Sequence, residues 1–276
     1  MTVIVPFAGG SLAPVLAALE GLRIREGDQV LIATQQPGQA PLTHAAIDVL
    51  DASGPASSYF ARGVAAARAT GEWLVFTDAD CLPEPDLLDA YFDPFPDERT
   101  GVLAGAIEDW VEEDTRVARY IASRRKLDQS TTLAHPFRPY AQTANAAVRR
   151  SAFEAVGGFA EPVRSGGDAD LCWRLQAAGW ELESRPGARV RHRNRTALGE
   201  LLGQLHRHGS GMEWLERRYP GSFPRPRPRA LLGRTRLLAA GPSGRLDFLS
   251  LWAADLGRLK ANGSPTPPTG LRASGA

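Results

Sequence analysis

The stretch Trp73-Leu74-Val75-Phe76-Thr77-Asp78-Ala79-Asp80-Cys81-Leu82-Pro83 decides how this chain is interpreted. A hydrophobic run typical of a strand ends in two carboxylates that are two residues apart. In an extended chain residues i and i+2 point the same way, so Asp78 and Asp80 can converge on one cation. Oxygen ligands at the end of a buried strand suit Mg²⁺ or Mn²⁺. The alternative interpretation is an Asp-rich turn that closes a strand.

The overall composition is that of an ordinary globular protein. A chain of 276 residues can bury the core of one large α/β domain, with or without an appendage. Because 32 Lys and Arg residues face 31 Asp and Glu residues, no global field favours nucleic acid or a membrane. Cys81 and Cys172 predict reduced, buried thiols, and no CxxC or Cys/His cluster suggests zinc.

The N-terminal segment, residues 1–6, predicts a first strand, because it lacks the basic and apolar regions of a signal peptide. No window supplies the roughly 20 apolar residues that a membrane-spanning helix needs. We therefore expect a cytoplasmic protein, with any membrane contact peripheral and at the inner face of the membrane.

The first third of the chain alternates between strand and helix patterns. Strands are predicted at 3–7, 30–34, 47–50 and 72–77, and helices at 11–22, 61–69 and 83–92. Ser11 is the expected cap of the first helix. Repeated strand–helix–strand units predict an α/β fold, with a mostly parallel central sheet flanked by helices.

The remainder of the chain is more mixed. Strands are predicted at 101–110, 140–149 and 188–191, and helices at 112–128, 151–156, 168–178 and 198–218. Beyond Tyr219, Arg and Pro alternate before a weak helix pair at 230–259 and a tail rich in Gly, Ser and Pro. We expect a domain over residues 1–218, a helical extension over 219–261 and a disordered tail over 262–276. Within the domain, residues 1–95 form the expected nucleotide-binding half and 96–218 the acceptor half.

A second group of carboxylates lies in Ser165-Gly166-Gly167-Asp168-Ala169-Asp170-Leu171-Cys172-Trp173-Arg174. In one interpretation Asp168 caps the helix and the helix dipole favours Asp170. In the other, Asp168 is a general base that accepts a proton from an incoming hydroxyl, and the two interpretations are compatible. Arg174, one turn further on, is expected to be an internal partner for a carboxylate.

Taken together, these segments resemble glycosyltransferase family 2 on the GT-A fold, over roughly residues 1–215. Each motif is moderately specific, and their order along the chain makes the set strong. The matching features are Val3-Ile4-Val5-Pro6, Ala61-Arg62-Gly63 with Ala67 and Gly71, Thr77-Asp78-Ala79-Asp80, Asn145-Ala146-Ala147-Val148-Arg149-Arg150 with Val156-Gly157-Gly158-Phe159, and Gly167-Asp168-Ala169-Asp170-Leu171 with Gly179-Trp180.

The resemblance implies an inverting transfer of a sugar from a nucleotide-diphospho-sugar to a hydroxyl acceptor. Asp80 would hold Mn²⁺ or Mg²⁺, Asp78 would lie near the ribose or the metal's waters, and Asp168 would be the general base. His192 falls where many GT-A enzymes place a third metal ligand, a solvated surface histidine being the alternative. The other residues that the resemblance places near the donor or acceptor are Pro6, Phe7, Ala61, Arg62, Ala79, Thr143 and Asn145.

Three departures from the family pattern matter. Residues 32–36 lack the acidic residue that usually binds the nucleobase or ribose, so Gln35 and Gln36 either bind the base through their amides or are simply part of a loop. Gly167 stands where the family usually has Glu before the base. The Gln-x-x-Arg-Trp signature of processive members is absent at residues 204–208, which together with the lack of a membrane-helix pattern favours addition of a single sugar.

Two further segments each have two interpretations. Residues 205–211 form either a mobile turn over the donor diphosphate or a helix break with solvated histidines. The Arg-Pro run at 225–229 contacts anionic lipid or an acidic acceptor, or is a solvated basic linker.

Other functions on a related fold stay open at this stage. A sugar-nucleotide nucleotidyltransferase would need a basic loop after the first strand, and residues 8–12 contain no Lys or Arg. A catalytically degenerate partner-binding protein would have no need to keep Asp78, Asp80 and Asp168. The GT-A fold also supports a retaining outcome.

Overall fold

The computed structural model of the chain describes residues 1–36, 43–44, 47–125, 127–160 and 163–262. The strands within these ranges are β1 Thr2–Phe7, β2 Gln29–Thr34, β3 Thr43–His44, β4 Ile47–Asp51, β5 Trp73–Thr77, β6 Cys81–Pro83, β7 Thr100–Trp110, β8 Asn145–Arg149 and β9 Glu181–Arg193. The helices are α1 Ala13–Glu20, α2 Ser58–Ala66, α3 Leu87–Ala90, α4 Arg116–Arg124, α5 Gln129–Leu133, α6 Arg150–Ala155, α7 Gly167–Ala177, α8 Leu198–Arg218, α9 Pro228–Gly233, a 3₁₀ turn Arg234–Ala239 and α10 Gly241–Gly257.

The strands form one mixed sheet in the order β3-β4-β2-β1-β5-β8-β7-β9-β6. Strands β4, β2, β1 and β5 are mutually parallel, as the strand–helix alternation predicts. Strand β8 is antiparallel to both of its neighbours, β7 and β9 are parallel, and β6 closes the edge antiparallel to β9. The carboxyl ends of β1, β2 and β5 therefore lie along one edge of the sheet.

Both faces of the sheet are buried, which explains the continuous hydrophobic runs in the sequence. Along β1, Ile4 contributes to the cluster on one face, whereas Val3 and Val5 contribute to the cluster on the other. The first face packs against α2 and α7, and the second against α1 and α3. The residues that follow the strands are thus held by a core on each side.

Several element bounds differ from the sequence predictions. Helix α1 begins after Leu12, which takes the N-cap position predicted for Ser11, and the Ser11 hydroxyl accepts from the amide of Ala13 at 3.4 Å. Pro14 lies in the first turn, where its fixed φ suits a helix. The predicted helix at 83–92 is a short edge strand, β6, followed by α3 alone. The predicted helix at 112–128 is shortened to α4, which ends where Arg125 takes a left-handed φ of 45°. The strand predicted at 188–191 extends over Glu181–Arg193.

The segment 205–211 lies inside the continuous helix α8, so both the mobile turn and the helix break are wrong. Its glycines permit close packing. A Cβ on Gly209 would lie 1.8 Å from the carbonyl oxygen of Ala254 in α10, and one on Gly211 would lie 2.7 Å from Cβ of Ser165. Glycine has a low helix propensity, but tertiary packing explains why Gly209 and Gly211 occur inside this helix.

The C-terminal helices pack on α8. Arg225, within the Arg-Pro run, forms an ion pair with the buried Glu213, which fixes part of that run against α8. Asn262, at the start of the predicted disordered tail, is buried and donates to the Ser165 carbonyl at 2.7 Å, while residues 263–276 lie outside the described part of the chain. The division into a domain over 1–218 and an extension over 219–261 stays a prediction.

Two smaller expectations have plain outcomes. Cys81 and Cys172 are buried free thiols, as expected. Among the described residues, no helix is both long and apolar enough to cross a bilayer.

Candidate active site

The two carboxylates that follow β5 are fixed by backbone hydrogen bonds. The amide of Cys81 donates to the Asp78 carbonyl at 3.0 Å, and the amide of Arg193 donates to the Asp80 carbonyl at 2.9 Å. Because β6 pairs with β9 in a register that sets Cys81 opposite His192, the imidazole is brought to Asp80. His192 Nε2 lies 3.3 Å from Asp80 Oδ1. His192 is 5% exposed, so the solvated-surface interpretation is wrong.

Asp80, Cys81 and His192 each offer one ligand atom, and these atoms lie within 4.8 Å of one another. Burial raises the pKa of the Cys81 thiol well above its usual value, and the nearby Asp78 and Asp80 raise it further. A soft thiol also suits Mg²⁺ or Mn²⁺ less well than oxygen and imidazole ligands do. The remaining donor atoms, a carboxylate oxygen and an imidazole nitrogen, fit a cation such as Mn²⁺.

Burial raises the pKa of Asp80, the adjacent His192 offsets part of that shift, and Asp78 adds to it. Asp78 and Asp80 are neighbouring carboxylates, and Asp80 is half-buried, so this point favours the binding of positive charge. Arg195, just beyond β9, also lowers the pKa of Asp80, and its Nε donates to Gln204 Oε1 at 3.1 Å. The alternation of Arg191, Arg193 and Arg195 was visible in the sequence, but nothing local distinguished Arg195 from the other two.

Asp78 does not join this group among the described residues and pairs instead with Arg62. Helix α2, which carries Arg62, is capped by Ser57, whose hydroxyl accepts from the amides of Tyr59 and Phe60 at 3.2 and 3.3 Å. The Arg62 side chain is 3% exposed and forms an ion pair with Asp78. In the described part of the chain its Nε has no hydrogen-bond partner. A buried guanidinium with an unsatisfied donor is a suitable contact for an anionic ligand.

Asp168 lies in the first turn of α7, behind the N-cap Gly166, which has a left-handed φ of 81°. The interpretation of Asp168 as the cap is therefore wrong, because Gly166 occupies that position. The Tyr59 hydroxyl donates to Asp168 Oδ1 at 3.2 Å, and the amide of Ala169 donates to the same atom at 3.1 Å. Burial raises the pKa of Asp168, which these hydrogen bonds and the nearby Arg62 lower in part.

Arg62 therefore links the two candidate carboxylates, since it pairs with Asp78 and lowers the pKa of Asp168. Its Cζ is also 5.5 Å from the centre of the Tyr59 ring. Sequence reasoning missed Tyr59, which lies two residues before the Ala61-Arg62 motif. No local signal marked it, because a tyrosine in a first helical turn is most often a core residue.

Asp170, two residues beyond Asp168, is structural. It is fully buried, and its Oδ2 accepts from Arg174 Nε at 2.8 Å. Arg218 and the Tyr219 hydroxyl reach its Oδ1 at 2.7 and 2.8 Å. The prediction that Arg174 is an internal partner for a carboxylate is confirmed, and this network ties α7 to the end of α8.

Pro6 and Phe7 lie at the end of β1, beside the end of β2 at Thr34. Ala61 is fully buried in α2, and Ala79 is half-buried between the two aspartates. After β2, the Gln35 amide donates to the Pro55 carbonyl at 2.6 Å, and Gln36 Oε1 accepts from the amide of Gly10 at 3.3 Å. Both glutamines thus have loop contacts, and residues 37–42 that follow them lie outside the described part of the chain.

Asn145 is the predicted site residue that the structure does not bring to the others. Its side chain is fully buried, donates to the carbonyls of Ala106 and Ala188 at 2.8 and 2.9 Å, and accepts from the Tyr91 hydroxyl at 2.6 Å. These bonds join β8, β7 and β9, so its amide serves the sheet rather than a donor. Thr143 is buried as well.

A family model described as "Glycosyltransferase like family 2" matches residues 30–211, more than half of the chain. The chain belongs to glycosyltransferase family 2. Two Mycobacterium tuberculosis strains, CDC 1551 / Oshkosh and ATCC 25618 / H37Rv, each have a pre-mycofactocin glycosyltransferase that is 32% identical over 229 residues, covering 80% of this chain and 48% of the relative. Glycosyltransferase AglE of Haloferax volcanii is 28% identical over 154 residues, covering 56% of this chain and 50% of its own length. This family 2 chain spans about half the length of these relatives.

Two solved structures show the fold of the family 2 chain. One is mannosyltransferase PcManGT from Pyrobaculum calidifontis in complex with GDP-Man and Mn²⁺, with a TM-score of 0.62, 17% identity and coverage of 94% of this chain and 86% of that one. The other is GalNAc-T7 with UDP, GalNAc and Mn²⁺, with a TM-score of 0.57, 13% identity and coverage of 92% and 54%. The predicted GT-A fold is confirmed.

Proposed function

We propose that this chain transfers a sugar from a nucleotide-diphospho-sugar to a hydroxyl acceptor, with a divalent cation and with inversion at the anomeric carbon. The observation that carries the proposal is the position of Arg62, which pairs with Asp78 at the end of β5 and lies beside Asp168 at the start of α7. Asp78 on the donor side and the candidate base Asp168 thus share one guanidinium, which supports a single site for donor and acceptor. Membership of family 2 supports the same reaction class.

Asp168 would act as the general base. Its Oδ2 takes the proton of the acceptor hydroxyl while the acceptor oxygen bonds to the anomeric carbon. The bond from that carbon to the diphosphate oxygen breaks, and the nucleoside diphosphate leaves with the electron pair. One displacement inverts the configuration and needs one base, in contrast to the carboxylate pair of a glycosidase.

The environment of Asp168 suits this role. Because burial raises its pKa, the carboxylate is a stronger base than an exposed aspartate, while the hydrogen bonds from Tyr59 and Ala169 limit that rise and fix Oδ1. With Oδ1 occupied, Oδ2 is the oxygen available to the acceptor. Tyr59, whose own pKa burial raises well above its usual value, stays a donor at neutral pH.

Asp80 and His192 would hold Mn²⁺ or Mg²⁺, and the bound ion supplies positive charge where the diphosphate departs. The two structural neighbours, PcManGT and GalNAc-T7, are described with Mn²⁺ beside GDP-Man or UDP, which supports a divalent cation here. Asp78 and Arg62 would orient the nucleotide side of the donor. Pro6, Phe7 and Ala79 would form the walls beside it, whereas the fully buried Ala61 packs in the core behind them.

The experiment that tests the proposal follows the product. The purified chain is first screened by thermal shift against GDP-, UDP- and dTDP-sugars with and without Mn²⁺, because a ligand that binds only the folded state raises the melting temperature. Any donor found is then incubated with simple hydroxyl acceptors, and the anomeric configuration of the product is assigned by proton NMR. Inversion that depends on Asp168 supports the proposal. Retained configuration, or equal product from Asp168→Asn and from the exposed control Asp86→Asn, contradicts it.

A further inference from the structure

Two polar atoms near Asp80 lack hydrogen-bond partners. They are Nδ1 of His192 and Oδ1 of Asp109, and each is buried from solvent without a partner among the residues that the structure describes. A buried polar atom with no partner costs roughly 1–3 kcal/mol, so each one calls for a physical explanation. His192 Nε2 is already directed toward Asp80, at 3.3 Å from its Oδ1. The opposite nitrogen of the same ring is the one without a partner.

The register of the sheet places these two residues side by side. Strands β7 and β9 are parallel, and Asp109 is the direct partner of His192. Two residues earlier, Ile107 pairs with Val190, and both belong to the same apolar cluster on one face of the sheet. Because side chains alternate between faces, Asp109 and His192 project from that same face.

The charges around Asp109 leave its carboxylate available to the imidazole. No described cation forms an ion pair with Asp109, although its neighbours in β7 and β9 include several charged side chains. Arg193 is directed to Glu112, and Arg191 to Glu84. Neighbouring strands lie about 4.8 Å apart, so paired side chains on the same face are within reach of an Asp–His hydrogen bond after a side-chain rotation.

A metal-binding histidine commonly donates its second ring N–H to a carboxylate, which fixes the tautomer and the ring orientation. We propose that Asp109 is a positioning residue that accepts a hydrogen bond from His192 Nδ1–H and so presents the Nε2 lone pair to a cation at Asp80. This inference rests on the proposed function, because it assigns a partner to the histidine of the same cation site. It also satisfies both unpaired atoms with one hydrogen bond.

The test measures Mn²⁺ affinity rather than turnover. Mn²⁺ is titrated into the purified full chain in the presence of GDP and, separately, UDP, and free Mn²⁺ is counted by electron paramagnetic resonance. The variants are Asp109→Ala, Asp109→Asn, His192→Ala and the double variant Asp109→Ala/His192→Ala. Glu108→Gln is the matched control, because Glu108 is the exposed neighbour on the opposite face of β7.

Asp109→Ala is expected to weaken Mn²⁺ binding about 10- to 100-fold. Asp109→Asn should lose less, because the amide oxygen still accepts from Nδ1–H, and this variant keeps the test valid where the alanine variant fails to fold. Glu108→Gln should bind as the unchanged chain does. The double variant should bind no more weakly than His192→Ala, since Asp109 acts through that ring.

The other outcomes separate this inference from the proposed function. If His192→Ala weakens Mn²⁺ binding but Asp109→Ala does not, or if the two losses add in the double variant, the role of Asp109 is refuted and the cation site stands. If the unchanged chain binds no Mn²⁺, or His192→Ala binds it normally, the cation site fails and the inference fails with it. Nitrogen-15 spectra of the imidazole with Mg²⁺ give an independent readout. They should show the Nδ1–H tautomer in the unchanged chain and a loss of that preference in Asp109→Ala.

Discussion

Replacing Gly211 by alanine tests whether α8 holds the segment that carries Asp168. Gly211 lies in the middle of α8 and packs against Ser165, three residues before Asp168. A Cβ at this position would lie 2.7 Å from both Cβ and Oγ of Ser165 and 2.8 Å from its carbonyl carbon. Because one of these contacts is with backbone, rotation of the Ser165 side chain alone cannot relieve the overlap.

The size of the effect follows from those distances. Ordinary contact begins near 3.4 Å, so the helix and the Ser165 segment must separate by roughly 0.7 Å. Overpacking of this kind costs about 1–3 kcal/mol, which outweighs the gain of about 0.8–1.0 kcal/mol from replacing a helical glycine by alanine. A displacement near 1 Å at a catalytic group costs on the order of a hundredfold in rate. Because the expected separation is somewhat smaller than 1 Å, we expect Gly211→Ala to lower turnover by about tenfold to a hundredfold.

The assay compares Gly211→Ala with Gly203→Ala, which adds the same methyl group to an exposed position of the same helix. A Cβ on Gly203 meets nothing within 4 Å, so this control should gain about 0.8–1.0 kcal/mol of stability and keep its turnover. Donor affinity should be unchanged in both variants, because Arg62 and Asp78 lie on other elements. Gly211→Ala with normal turnover and a melting temperature as high as that of Gly203→Ala would refute the reasoning.

Three further changes test the site and the C-terminal packing. Asp168→Asn should keep donor binding but lower turnover at least about a hundredfold. Burial raises the pKa of Asp168 in the unchanged chain, so its carboxylate becomes protonated at a higher pH than an ordinary aspartate does. We therefore expect kcat/KM of the unchanged chain to fall as pH decreases through that raised pKa. The same shift costs stability at neutral pH, where the folded state must keep a buried charge, so Asp168→Asn should melt higher than the unchanged chain. Asp80→Ala should abolish the Mn²⁺-dependent part of the thermal shift with donor, and an unchanged shift would remove Asp80 from the cation site. Glu213→Gln should lower the free energy of unfolding by about 1–3 kcal/mol. Arg225 and Arg217 lower the pKa of Glu213 to about 2, so the difference in melting temperature should shrink as pH falls from about 4.5 toward 2, and a pH-independent difference would contradict the ion pair.

The parallel half of the sheet and the aspartates after β5 could be predicted because their signals are local. A buried strand shows as a continuous apolar run, and a polar pair at its end is visible within a few residues. The same local view fails where packing decides. Gly209 and Gly211 suggest a break because glycine is unfavourable in a helix, yet close contacts with Ala254 and Ser165 require glycine at those positions.

The functional contacts depend on pairings between distant residues. The register of β6 against β9 brings His192 to Asp80, and no pattern near either residue encodes that register. Asn145 is the opposite case, because its position in a family motif predicted a ligand contact and the structure gives its amide a role within the sheet instead. The strands on each side of it supply carbonyl groups that use both of its N–H donors.

The two aspartates at the start of α7 show how the surroundings assign different roles to the same residue type. Asp170 is fully buried and receives Arg174, Arg218 and the Tyr219 hydroxyl, so its charge is neutralised within the protein. Within the described residues, Asp168 accepts from a hydroxyl and an amide on one oxygen, and burial raises its pKa. Since the described arginines form ion pairs with Asp170 and not with Asp168, Asp168 is the better candidate for chemistry. The ion pairs of Asp170 anchor the first turn of α7 to α8, and this anchored turn holds Asp168 in place despite its cost to stability.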